Sequence, residues 1–349
     1  MQENFNEKVN KEEVGNFSEE NNTFYTYFPF MKDPKILQEK AEIKKVANAT
    51  GLSLLIIMGI IFILGIILSF FSVISLNGQS LAKVFSEPAV EQVIQIGMSL
   101  FCFTIPAVVV FKAFRYRISD LVSFKKTEKG LGIPLYFFGV AFCAFANIAS
   151  SYMNRILSNF GIDVSLSERV LPRGIFGFML TFISMAIVPA LVEEFTCRGI
   201  IMGALKKYGE GFAIITSSVV FGLMHGNFEQ MPFAFLVGMV LGFVTIKTGS
   251  LRIAIAVHFT NNFISVIFNY FLKNASLNVQ NVIYTVFLLV CLILGMVFLS
   301  AGKITPDIFK LNNKTVSKEK EKYKWFFLSP TVIIFIVFNV IESLAILFS

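Results

Sequence analysis

Charge is scarce in this 349-residue chain: Asp, Glu, Lys and Arg make up 15% of it, well under the roughly 25% of an ordinary soluble domain. In their place stand 55% hydrophobic residues, including 41 Phe, at a mean hydropathy of +0.70. That balance excludes a soluble domain with a large core and indicates a chain that crosses a membrane repeatedly. The net charge is +7, yet the cations fall between apolar runs and not in a patch interleaved with aromatics, so nucleic acid is not expected as a partner. Cys102, Cys143, Cys197 and Cys291 all lie in apolar segments without CxxC spacing. They read as small buried hydrophobes, and no disulfide framework is implied. Residues 1–48 are rich in Asn, Glu and Lys and lack an apolar h-region, so no cleaved signal peptide is expected and the first hydrophobic helix must direct insertion.

What is abundant gives the organisation. Apolar runs long enough to cross a bilayer fall at about 51–75, 93–111, 132–153, 174–205, 212–227, 231–248, 252–272, 280–301 and 328–348. The expected fold is therefore all-α, a polytopic transmembrane helical bundle of about nine spans, with an eight-helix core and an extra C-terminal helix. Residues 1–48 form a polar cytoplasmic tail, mostly disordered, with a short juxtamembrane helix from about Asp33. Residues 49–301 form the membrane domain, 302–327 a solvated Lys-rich cytoplasmic linker, and 328–349 the last span. The cations test this arrangement. One side receives Lys32, Lys35, Lys40, Lys44 and Lys45; Lys112, Arg115, Arg117, Lys125, Lys126 and Lys129; Lys206 and Lys207; Lys247 and Arg252; and the seven lysines from Lys303 to Lys324. The other receives Lys83, Arg155, Arg169, Arg173 and Lys273. This strict alternation predicts a multi-pass plasma-membrane protein with its amino terminus in the cytoplasm and its carboxyl terminus outside. The segment 155–172, with Asp163, Glu168, Arg169 and Pro172, is expected on the outer surface, and no internal repeat is visible.

Against this background Glu193, Glu194 and Arg198 stand out, because each charge at membrane depth costs at least about 2.5–3.5 kcal/mol. If 178–206 is one helix, Glu194 and Arg198 stack on one face as an ion pair, while Glu193 points about 100° away. One carboxylate is paired and the other is left available as a proton acceptor. A buried structural ion cluster, or the mouth of a transport path, fits the same three residues. The chain's two histidines, His225 and His258, both fall within expected spans, each beside polar neighbours. Counting from the 206–211 turn places Glu193 and His225 at similar depth, about fourteen residues in, whereas His258 is only about six past Arg252. The three agree if that turn protrudes into the cytoplasm; if it lies at the surface, His258 misses the others by about 12 Å. Glu193, His225 and His258 together are the kind of set zinc takes in a hydrolytic site, with N and O ligands and an open position for water. Gly222, Gly226 and Gly242 permit close helix approach, and Pro189 is expected to kink the helix before Glu193. Asn262, four residues after His258, shares its face and offers an amide to an oxyanion.

The pattern Glu193-Glu194-x-x-x-Arg198, Phe221-x-x-x-His225 and His258-x-x-x-Asn262 resembles the type II CAAX prenyl protease family, also called the Abi or CAAX-protease-and-bacteriocin-processing family. The resemblance covers about 174–272. It implies a helical intramembrane endopeptidase whose polar site opens toward the cytosol, acting on a peptide or membrane-protein substrate among membrane lipid. Carried over, Glu193 is implied as the base that activates water, with His225 holding that water. His258 and Asn262 are implied to stabilise the oxyanion, and Glu194 and Arg198 to support the motif. A zinc-dependent mechanism and a metal-free glutamate mechanism match these residues equally. No HExxH, GxSxG or GxGD occurs to supply another intramembrane protease chemistry. Two rival readings use the same residues: a non-catalytic binding or bacteriocin-immunity protein, and a transporter with a proton relay.

Overall fold

The computed structural model describes residues 33–72, 75–76, 79–128, 130–166, 170–301 and 305–348. Most of the expected polar tail and the cations at 129, 169 and 303 lie outside the described residues. Ten helices carry the architecture: α1 Pro34–Ser72, α2 Pro88–Ala113, α3 Gly132–Asn159, α4 Gly174–Tyr208, α5 Glu210–Leu223, α6 Gln230–Thr248, α7 Leu251–Leu272, α8 Leu277–Ala301, α9 Glu319–Phe327 and α10 Pro330–Leu347. Ser75–Leu76 and Gln79–Ser80 pair as a minimal antiparallel ribbon after α1. Eight of these helices are long and apolar enough to cross a membrane. The chain is a polytopic helical membrane protein.

The expected span at 212–227 departs from this pattern. Its helix, α5, has 14 residues, about 21 Å at 1.5 Å per residue and short of a hydrocarbon core of about 30 Å. Gly222 would carry a Cβ only 2.9 Å from the Met231 carbonyl oxygen and Gly242 one 3.2 Å from Ile214, so α5 and α6 form a tight antiparallel hairpin. Gly226 serves otherwise: at φ +65° it turns the chain beyond α5.

Helix α1 also differs from a simple span. Asp33 accepts a hydrogen bond from the Lys35 amide at 2.8 Å, an N-terminal cap. The helix then runs 39 residues without a break, about 58 Å by the same rise per residue. Its first turns bury Ile43, Val46 and Ala47 in a core shared with α2, α4, α5, α9 and α10. The 302–327 connector, expected to be solvated, makes specific bonds to this layer among its described residues. Asn312 exchanges backbone and side-chain bonds with Glu210, and Ser317 donates to Glu39. Lys322 is fully buried, its ammonium donating to the Tyr208 carbonyl at 2.8 Å and to Thr315 at 2.9 Å. Satisfying the last carbonyl of α4 explains why a lysine is tolerated there.

Two cores flank the centre. One joins α1, α2, α4, α5, α9 and α10 through residues such as Phe111, Ile201, Phe212, Phe326 and Phe335. The other joins α3, α6, α7 and α8 through Leu135, Val140, Leu241, Val257 and Cys291. Helices α4 and α7 face each other between them, and that seam holds the buried polar residues.

A candidate active site between two helices

Proline shapes the helices approaching the seam. In α2 a π-turn covers Ser99–Phe103, and Pro106 follows it; in α4 a π-turn covers Ile183–Ile187, and Pro189 follows it. The proline ring clashes with the carbonyl four residues back, here Cys102 and Met185, and the wider turn makes room for it. The kink expected at Pro189 is thus realised as a π-turn. A longer π-segment, Glu194–Ile201, contains no proline, so a different cause must hold it open. It carries Glu194 and Arg198, and π-turns recur at functional sites.

Glu194 and Arg198 form the expected pair: Arg198 Nη1 donates to Glu194 Oε1 at 2.8 Å with both side chains sealed from solvent. The same oxygen accepts from His258 Nδ1 at 2.9 Å. A carboxylate can only accept here, so the Nδ1 proton is placed and Nε2 is left for chemistry. That Nε2 lies 3.7 Å from Glu193 Oε2. The four groups make one chain, Arg198 to Glu194 to His258 to Glu193. Only its last member opens outward: Glu193 is 21% exposed, against 5% for His258 and 0% for Glu194.

Phe221 is the hub beneath this chain. The Arg198 guanidinium lies 4.1 Å from its ring centroid, a cation–π contact. The rings of His225 and His258 both meet it edge-on, at 5.0 and 6.0 Å. His225 stands in the turn after α5 and not inside a helix. Its Nδ1 donates to the Phe221 carbonyl at 2.8 Å, and Asn227 Nδ2 donates to its own carbonyl at 2.6 Å. Asn262 lies one turn beyond His258 on α7 and accepts from Asn261 Nδ2 at 3.1 Å.

The depth question is answered by the overhang of α4. Gly199 lies against the side chain of Leu251, and a Cβ at Gly203 would fall 2.6 Å from the Leu121 carbonyl oxygen. His258 is seven residues past Leu251 while Glu194 is fourteen before Tyr208, so the end of α4 runs about 10 Å beyond the start of α7. The first turns of α1 and the docked connector cover that overhang.

The expected metal trio does not close. Glu193 and His258 approach each other, but among the described residues no three His, Cys, Asp or Glu side chains converge as metal ligands. His225 stands in the turn after α5 and does not join that pair. These side chains as placed do not fit a zinc ion, and the chemistry below uses none.

Two polar features escaped the sequence reading. Glu342 on α10 sets its carboxylate 3.3 to 3.7 Å from where a Gly226 Cβ would sit, beside the His225 turn. Asn147 on α3 donates to Asn261 at 3.2 Å, and Tyr136 bonds Thr260 at 2.8 Å, tying α3 to α7 just past His258. The isolated carboxylate in the final apolar run was a visible cue for Glu342; nothing in the sequence marked Asn147.

Residues 175–264 match the model of the Rce1-like family, described as type II CAAX prenyl endopeptidase Rce1-like. No curated protein and no solved structure matches the chain. The matched stretch contains Glu193, Glu194, Arg198, His225, His258 and Asn262.

Proposed function

We propose that this protein is an intramembrane endopeptidase in which Glu193 activates water against a substrate amide. The observation that carries the reading is the asymmetry of the two adjacent carboxylates. Glu194 is sealed and spent on Arg198 and His258, while Glu193 is partly open and within 3.7 Å of a histidine nitrogen whose orientation is fixed. Water held between Glu193 and His258 Nε2 gives a proton to the Glu193 carboxylate as its oxygen bonds to the scissile carbonyl carbon. The same proton passes to the amide nitrogen as the C–N bond breaks, which leaves Glu193 as it began. Asn262 supplies an N–H to the developing oxyanion, and His225, with Nε2 free of its backbone bond, steadies the water or that oxygen. Arg198 and Glu194 act through His258 as positioning residues.

The mechanism as drawn needs no metal. Zinc content after purification, with activity followed through chelation and Zn²⁺ addition, tests the metallo form in which Glu193, His225 and His258 would be the ligands. The substrate class is a membrane-associated or peptide chain. The family name makes a prenylated C-terminal peptide the first compound to assay beside its unmodified counterpart. The distribution of cations supports a multi-pass plasma-membrane location with a cytoplasmic amino terminus.

The decisive experiment compares wild type with Glu193→Gln and His258→Ala, each checked for correct membrane insertion. Loss of a general base lowers the rate by about 10²–10⁴-fold. Undiminished cleavage by both variants ends the proposal.

A further inference from the structure

Helices α7 and α8 are consecutive, yet both pack along α3 and meet each other only marginally. The gap between them is a cavity of about 190 Å³ floored by Val140 and Asn147 of α3. Its walls carry Asn261, Ser265 and Asn269 from α7 and Tyr284 from α8. Asn261 is ten residues past Leu251 and Asn269 eighteen, so the cavity runs from about 15 Å to about 27 Å along α7, away from the cation-rich end and past the site.

Three observations point to an occupant. First, the polar lining is wholly neutral: three amides and two hydroxyls, with no charged side chain. Amides at membrane depth both donate and accept, which is what an extended polypeptide backbone needs and what an acyl chain does not. Second, the lining is only partly satisfied. Asn147, Asn261, Ser265 and Tyr284 have protein partners, whereas Asn269 is exposed to the gap and bonds to no described residue. Its amide is therefore open to a ligand in the gap. Third, hydrogen bonds link the cavity to the chemistry: Asn261 in its lining accepts from Asn147 and donates to Asn262, one turn beyond His258.

We infer that the α7–α8 gap is the docking groove for an uncharged, extended segment of the substrate polypeptide, entering sideways from the membrane and leading its scissile bond to Glu193. The inference rests on the protease reading for the identity of its ligand, but its test does not depend on cleavage. A photoreactive benzoylphenylalanine placed at position 269 in the full-length Glu193→Gln protein, in phospholipid vesicles, is irradiated with a biotinylated degenerate pool of uncharged peptides. The expected result is transfer of biotin to the protein, competed by unlabelled pool and reduced at least threefold by Asn147→Leu or Asn261→Leu. Label transfer to phospholipid only, or peptide labelling unaffected by both leucine variants, overturns the groove. With any cleaved peptide, Asn269→Leu is expected to raise KM roughly 3- to 10-fold, as for one or two lost hydrogen bonds, with kcat unchanged. A fall in kcat at constant KM overturns it as well. Peptide labelling without any cleavage by wild type would instead leave the groove standing and refute the enzyme.

Discussion

The two sides of the molecule are built to different tolerances. Around α4 the packing is closed: Arg198, Glu194, Phe111 and Lys322 are almost without solvent contact, and backbone approaches at Gly203 and Gly222 leave no room for a methyl group. Around α7 and α8 it is open: α8 shows most of its length to lipid, and a polar gap separates it from α7. Glu193 and Glu194 reproduce the contrast within two residues. The comparison teaches that the sealed side holds groups in place while the open side receives something, and substitutions can test each half.

The largest effect should separate the two carboxylates. Glu193→Gln is expected to abolish nearly all cleavage while leaving thermal stability in detergent within about 0.5 kcal/mol of wild type, as for a partly exposed residue. Glu194→Ala strands the Arg198 guanidinium and should cost about 3–5 kcal/mol, read as a lower melting temperature, with activity falling through loss of fold. Equal stability of the two variants would erase the distinction. Next comes Lys322→Met, which removes the ammonium from the Tyr208 carbonyl; the cost should be about 1.5–3 kcal/mol, as for a hydrogen bond to a charged group. Proteolysis of the 305–327 connector should accelerate in parallel. Gly203→Ala drives a methyl into the Leu121 carbonyl and should cost about 1–3 kcal/mol, whereas Val286→Ala on the lipid face of α8 should change stability by less than about 0.5 kcal/mol. If those last two variants melt together, the closed and open halves are not as different as described.

Much of the site was legible in advance because its logic is local. The four-residue spacing of Glu194 and Arg198 dictates their pairing on any helix, α or π, and leaves Glu193 over. The convergence of His258 on that pair depended instead on the overhang of α4. That overhang is covered by the first turns of α1, read from the sequence as a short juxtamembrane helix, and by the connector, read from its charge as solvated. His225 was assigned to a span, since Phe, Gly, Leu and Met run up to it without a break; the helix stops at Leu223 because the chain must turn at Gly226 to bring α6 back along α5. In that turn His225 completes no metal trio with Glu193 and His258 among the described residues.

Composition and periodicity alone therefore determined that this chain is a helical membrane bundle and singled out Glu193, Glu194, Arg198 and the two histidines within it, because hydrocarbon penalises every charge regardless of neighbours. Which of those residues meet was decided by the tertiary structure. Depth is set by where each helix begins relative to its partners, and helices many residues apart in sequence are aligned by packing and caps that no local pattern encodes.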